Sequence, residues 1–200
     1  MTLNPSALTN DCSIEPTEPA SATDAQLLQR VAGGEEDAFD ELYRRHAGPL
    51  FNYLVRLIHE PPVAQDLVQE VFVAAWRGAR GFRGQAQVKT WLFHIAHNQA
   101  VSWLRRHRPT LAFDDLEWSA ADEGRDESDE RVVQAWRADQ LQTALEGLSP
   151  KHREVIELAF VHGLSYVEIA QVAGCPVGTV KSRMSYALRY LNDSLKHLDV

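Results

Sequence analysis

The sequence predicts an all-α fold, with two small helical domains joined by a flexible acidic linker and a helix-turn-helix in the C-terminal domain. Apolar residues recur at helical spacing in both halves, and no segment alternates apolar and polar residues as a strand would. Residues typical of helix caps stand where these helical patterns begin and end. The length of 200 residues, 44% of them hydrophobic, is sufficient for one domain or two small ones.

The N-terminal half opens with a tail over 1–23 that is rich in Pro, Ser and Thr, and we expect this tail to be disordered. A first helix starts near Thr23, which is spaced from Gln26 as in a capping box, and stops at Gly33-Gly34. A second helix follows, and the segment 46–49 ends in a proline that should kink or break it.

Two further helices complete the predicted N-terminal domain. One opens at Pro61-Pro62 and ends near Gly78, because proline suits the first helical turn. A loop over 80–84 then leads to a long helix from about Val88 to His107. This domain is expected to cover residues 24–108.

A linker over 109–130 precedes a second domain over 131–200. Its four predicted helices cover about 131–147, 150–161, 165–173 and 177–196. Ser149 fits an N-cap before Pro150, and Ser165 is spaced from Glu168 as in a capping box.

The last two helices, with the turn at Gly174, have helix-turn-helix construction. The final helix carries an apolar stripe of Val180, Met184, Ala187, Leu188 and Leu191. Its other face is polar and basic, and such a helix can enter a DNA major groove. The candidate DNA-binding residues are Ser165, Gly178, Thr179, Lys181, Ser182, Arg183, Tyr186 and Arg189. The alternative is a small helical hairpin with a solvated polar face.

The net charge of −8 is unevenly distributed. Residues 114–130 hold nine acids and one base, whereas residues 71–113 hold seven bases and no acid. Aromatic residues interleave with those bases, and this mixture suits a surface that follows phosphates and stacks unpaired bases. The alternative is that the aromatics are core residues and the bases only solvate a helix.

Several other classes of protein are disfavoured. The longest apolar run is the six residues 71–76, and no secretory signal opens the chain, so we expect a cytoplasmic protein without a membrane segment. Two cysteines, Cys12 and Cys175, are too few for a disulfide scaffold or a Cys-based zinc site. His94 and His97 lack a third metal ligand at matching spacing, and no nucleophile–base pair or glycine-rich phosphate loop is present. We therefore expect no metal, no cofactor and no catalysis.

Three motifs carry a resemblance to a known family. They are Asp66-Leu-Val-Gln-Glu-Val-Phe72, Thr90-Trp-Leu-Phe-His-Ile-Ala-His-Asn98 and Gly178-Thr-Val-Lys-Ser-Arg183. In this order, over roughly residues 24–196, the chain resembles the extracytoplasmic-function family of bacterial RNA polymerase sigma factors. The resemblance implies a protein that binds core RNA polymerase, reads two promoter elements with two helical domains and is held inactive by an anti-sigma factor.

The resemblance implies that the helix around Asp66 binds the clamp of the largest polymerase subunit. Asp66, Gln69 and Glu70 lie at i, i+3 and i+4, so they form one polar face that suits a basic partner helix. The implied polymerase-binding residues are Asp66, Leu67, Gln69, Glu70 and Phe72. A merely solvated helix face is the alternative.

By the same resemblance, the loop and long helix read and open the downstream element, and the helix-turn-helix reads the upstream one. Phe82 would lie near a pocket for a flipped-out base, Trp91 would support that surface and Asn98 would contact bases. Stacking on an unpaired base is worth about 1–3 kcal/mol, which offsets the cost of unstacking it. The implied residues are Phe82, Arg83, Lys89, Trp91, Asn98, Arg105, Arg106 and Arg108.

Two departures from the family pattern affect these assignments. The family often has Asp four residues after the Asn, where this chain has Ser102, and Arg at the positions of Tyr186 and Leu188. The recognition helix therefore offers fewer phosphate contacts, and the promoter sequence cannot be carried over from relatives.

Two rival functions and one open question follow from the residues. A free-standing helix-turn-helix regulator would bind duplex DNA tightly alone, but residues 131–200 hold eight bases against seven acids. An enzyme or helical adaptor for a small anionic ligand would need several polar side chains that converge on one pocket, and the sequence does not offer such a group. The nine acids of 114–130 are either a solvated linker or a mimic of nucleic acid that covers a basic face of the free protein.

Overall fold

The computed structural model describes residues 22–107, 143–145 and 147–196, and the regular elements in these residues are all helical. The all-α prediction is confirmed. The N-terminal half contains α1 (Asp24–Ala32), α2 (Glu36–Ile58), α3 (Pro61–Gly78), a 3₁₀ turn (Ala79–Gly81) and α4 (Val88–His107). The C-terminal half contains α5 (Pro150–Ile156), a π-helical turn (Glu157–Val161), α6 (Tyr166–Val172) and α7 (Val177–Lys196).

Three predictions fall largely or wholly outside the described residues. They concern the tail over 1–23, the linker over 109–130 and the helix over 131–147, of which only residues 143–145 and 147 are described; residues 143–145 are helical. The domain boundaries that depend on these segments stay predictions.

Both predicted capping boxes are present. Thr23 Oγ1 accepts from the Gln26 amide at 3.3 Å, and Gln26 Oε1 accepts from the Thr23 amide at 2.8 Å. At the start of α6, Ser165 and Glu168 exchange the same two bonds at 3.4 and 2.8 Å. The cap of α5 differs from the prediction, because the Ser149 hydroxyl lies 2.7 Å from His152 Nδ1 and caps no backbone amide.

Of the two outcomes predicted at Pro49, a kink or a break of the helix, the break does not occur. The helix runs from Glu36 to Ile58 with Pro49 inside it. A proline removes one backbone hydrogen bond. Leu42, Leu50 and Tyr53 are buried on the same face of α2 on both sides of Pro49, and burial of this continuous apolar face outweighs the lost bond.

The two halves pack against each other. Leu50, Leu54 and Phe93 are fully buried in the N-terminal bundle, while Ile169 and Val180 are fully buried between α6 and α7. Helix α4 lies against α6, and the polar contacts between the halves involve α2, α4, α5 and α6. The sequence left the relation of the halves open, since a 22-residue linker requires no contact between them.

Candidate polymerase- and DNA-binding surfaces

The polar face of α3 is exposed as predicted. Asp66, Gln69 and Glu70 lie along one side of the helix, free of the core. Two residues assigned to this interface do not share that exposure, because Leu67 and Phe72 are each 3% exposed and pack inside the N-terminal bundle. Their role is to hold the helix in place, since their side chains cannot reach a partner in this structure.

Exposed apolar residues adjoin this polar face and were missed by the sequence reasoning. Val73 is 47% exposed, and Tyr43 and Trp76 are exposed nearby. Aromatic contacts hold Tyr43 and Trp76 in place. The Tyr43 and Phe72 ring centroids are 4.7 Å apart, and the Phe39 and Trp76 ring centroids are 5.2 Å apart. The available signal was spacing, because Val73 follows Glu70 and Gln69 at i+3 and i+4.

Phe82 and Trp91 form one half-buried aromatic pair at the start of α4. Their ring centroids are 5.1 Å apart at an interplanar angle of 50°. Gly78 permits this arrangement, because a Cβ there would lie 3.1 Å from Trp91 Cζ2. The structure therefore brings together the two aromatics that sequence reasoning assigned to base capture, and both rings are partly accessible.

The predicted polar DNA-binding residues of this half differ in accessibility. Arg83, Asn98, Arg105 and Arg106 are exposed. The Asn98 amide lies 3.0 Å from His94 Nε2, and Arg106 Nε donates to the Ser102 carbonyl at 3.3 Å. Lys89 is half-buried and donates from Nζ to the His162 carbonyl of the C-terminal half. Arg108 lies outside the described residues.

The helix-turn-helix has the predicted construction. Gly174, with φ of +59°, makes the turn between α6 and α7 in a conformation that favours glycine. Val180, Met184, Ala187 and Leu191 are buried on one side of α7. Leu188 was assigned to this stripe but is 43% exposed, because the buried positions repeat at intervals of four and three residues and leave 188 outside.

The opposite face of α7 presents most of the predicted DNA-binding residues. Gly178, Lys181, Ser182, Tyr186 and Arg189 are exposed, whereas Thr179 and Arg183 are half-buried. Arg183 Nη1 lies 3.9 Å from Cys175 Sγ in the turn. The exposed Ser165 uses its hydroxyl in the α6 cap, so only part of its bonding capacity is left for DNA.

Tyr186 is supported from α5. Its ring stacks on His152 with centroids 4.4 Å apart, and the Arg189 guanidinium lies 5.9 Å from the Tyr186 centroid. Burial and the nearby positive charge of Arg183 lower the pKa of His152. His152 therefore backs an exposed aromatic side chain on the face of α7 that carries the predicted DNA-binding residues.

His94 and His97, weighed as metal ligands, are engaged in hydrogen bonds between the halves. His97 Nδ1 lies 2.8 Å from Glu154 Oε1, and His94 Nδ1 lies 3.3 Å from the Val172 carbonyl. Within the described ranges, no group of three or more His, Cys, Asp or Glu residues is placed to hold a metal ion.

Comparison with known proteins gives the family. Sigma-70 region 2 matches residues 42–110, and sigma-70 region 4 matches residues 138–191. The RNA polymerase sigma-H factor of Pseudomonas aeruginosa is 36% identical over 186 residues, which cover 88% of this chain and 95% of that protein. The ECF RNA polymerase sigma-E factor of Haemophilus influenzae is 30% identical over 184 residues, which cover 88% and 97%.

A solved structure agrees with these relatives. The sigma factor RpoE, crystallised with the anti-sigma factor NepR from Bartonella quintana, is 28% identical, with a TM-score of 0.61 over 79% of this chain and 96% of that one. The matched regions are the two halves that carry the exposed polar helix and the helix-turn-helix. The chain belongs to the extracytoplasmic-function family of RNA polymerase sigma factors.

Proposed function

We propose that this chain is an alternative sigma factor that binds core RNA polymerase and directs promoter-specific transcription initiation. The observation that carries this function is the presence of both sigma regions in one chain, aligned over 95% of a sigma factor from Pseudomonas aeruginosa. A free-standing helix-turn-helix regulator needs only the C-terminal half, so it leaves the region 2 match unexplained. The relatives are named RNA polymerase sigma factors, and we assign no catalysis to this chain.

The polymerase contact is proposed for the polar face of α3. Asp66, Gln69 and Glu70 are exposed together, and the two carboxylates suit a basic helix of the polymerase clamp. The exposed Val73 and Trp76 beside them supply apolar area, which a stable protein interface needs at its centre. Leu67 and Phe72 support the face from within the core.

Downstream-element opening is proposed for the Phe82–Trp91 pair and α4. The partly accessible rings offer a stacking surface for an unpaired base, and Asn98 supplies donors and an acceptor to read one. Arg105 and Arg106 at the end of α4 would hold the backbone phosphates. Binding energy alone drives the opening in this scheme.

Upstream-element reading is proposed for α7. Lys181 and Arg189 supply positive charge for phosphates or guanine edges, and Thr179 and Ser182 supply hydroxyls. The exposed Tyr186 occupies a position where the family often has Arg. At this position an aromatic contact therefore replaces a contact made by a positive charge.

We infer regulation by an anti-sigma factor, because the related sigma factor RpoE was crystallised in complex with one. Among the described residues, none of the helices is long and apolar enough to cross a membrane. We propose that the protein acts in the cytoplasm, where it meets polymerase and promoter DNA.

The test is run-off transcription from a genomic fragment library with purified core polymerase, with and without this protein. We expect discrete new transcripts that disappear when Asp66→Asn, Gln69→Ala and Glu70→Gln are combined, because the polar face is then neutral. Asp37→Asn with Asp40→Asn, which neutralises two exposed acids of α2, is the matched control and should leave the transcripts intact. The assignment would be overturned if a cognate core polymerase gave no new transcripts with this protein and also did not co-elute with it.

A further inference from the structure

The exposed face of α7 carries one aromatic residue among polar and basic ones. This face is a single stripe, with intervals of three, four and three residues, made of Thr179, Ser182, Tyr186 and Arg189. It lies opposite the buried residues of the helix, and Tyr186 is 45% exposed. The charged residues over 169–192 are all cationic, so the surroundings of this uncharged ring attract DNA.

The polar residues one turn before Tyr186 are drawn towards the protein. Ser182 Oγ donates to the Thr179 carbonyl at 3.0 Å, so its hydroxyl has no hydrogen left for a base. Arg183 is half-buried, and its Nη1 lies 3.9 Å from Cys175 Sγ in the turn. The Tyr186 ring, by contrast, is available to a base edge as it stands.

Tyr186 is braced by a neighbour on α5. The His152 ring stacks on the Tyr186 ring, with centroids 4.4 Å apart and an interplanar angle of 29°. His152 is fixed in turn, because its Nδ1 lies 2.7 Å from the Ser149 hydroxyl and its amide donates to the Ser149 carbonyl at 2.9 Å. The tyrosine therefore loses side-chain freedom before DNA arrives, and less entropy is lost when it binds.

The segment that carries His152 is itself held against α7. Helices α5 and α7 pack on each other, and Pro150 is buried at the start of α5. Gly147 approaches α7 so closely that a Cβ there would lie 2.0 Å from the Tyr190 hydroxyl. This second contact lies one turn beyond Tyr186, so the brace has a firm support.

An exposed aromatic ring in the major groove suits thymine. Thymine presents an apolar group there, its C5-methyl, whereas the other three bases are read by their hydrogen-bond donors and acceptors. The Arg189 guanidinium, 5.9 Å from the Tyr186 centroid, can hold a neighbouring phosphate. The stripe therefore combines an apolar group that distinguishes a base with a charge that fixes the register of the helix.

We propose that Tyr186 is the specificity-determining residue at one position of the upstream element, where its ring selects thymine through the C5-methyl group, and that His152 is its positioning residue. The selection rests on the proposed function of α7, which is to read the upstream element. It requires the ring of Tyr186 and not its hydroxyl.

The experiment is transcription by the holoenzyme, formed from core polymerase and the full chain. Promoter templates with a randomised upstream element carry barcodes in their transcribed part, so sequencing of the transcripts gives the preferred base at each position. On the preferred promoter, the thymines of the upstream element are then replaced one at a time by uracil. Uracil lacks only the methyl group, so the ratio of transcription from the two templates isolates the methyl contact.

In the parent chain we expect uracil at one thymine to lower transcription about fourfold, because burial of one methyl group, about 0.8 kcal/mol, corresponds to that factor at 25 °C. Tyr186→Phe should retain this uracil effect, and Tyr186→Ala should lose it. Tyr186→Arg should also lose it and should prefer guanine at that position, since arginine bonds to guanine O6 and N7. Uracil effects at other positions should be the same in all these chains.

The role of His152 is tested by the same ratio. His152→Ala should weaken the uracil effect, whereas His152→Phe, which keeps a stacked ring, should retain it. A merely structural role would lower transcription from both templates equally and leave their ratio unchanged. Circular dichroism checks that the variants fold, and Asp40→Asn, an exposed acid of α2, should leave the ratio as in the parent.

A uracil effect that is absent, or that does not depend on residue 186, would overturn the thymine assignment. Loss of the effect in Tyr186→Phe would identify the hydroxyl as the reader and refute the methyl contact. An unchanged ratio in His152→Ala would overturn the positioning role. These failures differ from that of the proposed function, because a parent chain that is no sigma factor would give no transcripts from any template, and this would refute the selection with it.

Discussion

Asp24 connects the first two helices through Arg45 and His46. Its carboxylate oxygens lie 2.9 Å from Arg45 Nη1 and 2.7 Å from His46 Nε2. Burial raises the pKa of Asp24, but the hydrogen bond from Arg45 and the charge of His46 outweigh burial and lower it overall. The ionised form is therefore the one that stabilises the junction of α1 with α2.

We predict that Asp24→Asn lowers the free energy of unfolding at pH 7 and has a smaller effect at pH 3. A carboxylate whose folded-state pKa is lowered contributes stability above its unfolded pKa of about 3.9, and this contribution is lost as the pH falls through the folded value. Urea unfolding followed by circular dichroism at pH 7, 5 and 3 measures the difference. Exposed Asp40→Asn is the control, and an equal effect of Asp24→Asn at pH 7 and pH 3 would contradict the prediction.

Three buried histidines illustrate which residue roles the sequence could not reveal. His46, His97 and His162 each contact a carboxylate. The partners of His46 and His97 lie 22 and 57 residues away, so no local spacing rule connects them. Spacing instead raised the possibility of a His94–His97 metal pair, because residues three apart share a helix face.

At the scale of elements, local signals and long-range packing differ in how well the sequence predicts them. The capping boxes at Thr23 and Ser165 and the proline at the start of α3 involve neighbours in the chain, and each was predicted correctly. The continuity of α2 through Pro49 was not predicted, because it depends on packing against other helices. The same distinction applies to the α3 face, where exposure of Asp66 was predicted and exposure of Val73 was missed.

Gly147, before α5, lies against α7, and we predict that Gly147→Ala destabilises this packing. A Cβ at 147 would lie 2.0 Å from the Tyr190 hydroxyl, so the half-buried tyrosine must move. Overpacking of this kind costs about 1–3 kcal/mol. Thermal or urea unfolding measures the loss.

Gly48 in α2 is the matched control for that substitution. A Cβ there meets no atom within 4 Å, so Gly48→Ala should stabilise the helix by about 0.5–1 kcal/mol through lower backbone entropy of the unfolded chain. Equal effects of the two alanines would show that Tyr190 yields without cost and would refute the packing argument.

At the scale of the whole molecule, the two halves are packed together and the charge is distributed unevenly along the chain. Docking occupies one face of α4 through Glu154 and Glu168. The net charge of −8 repels DNA, although residues 71–113 contain no acid. The negative net charge fits a protein whose promoter binding we propose to depend on polymerase. The polymerase contact that we propose on α3 lies on a different helix from the α4 face that the C-terminal half covers.

The nine acids of 114–130 lie outside the described residues, and we predict that they weaken DNA binding by more than their share of the net charge. Replacing them by Asn and Gln removes nine negative charges from a chain of net charge −8 and leaves it at +1. If they compete with DNA for the basic surface, affinity of the free protein should rise at least tenfold at low salt. The gain in affinity should shrink towards 0.5 M salt, where screening limits interactions between charges to a few ångströms.

Neutralising the three acids of the tail, Asp11, Glu15 and Glu18, is the control for net charge. Anisotropy titrations at several salt concentrations compare the two, and an equal effect per acid, or none from the linker, would show that the stretch is a solvated spacer.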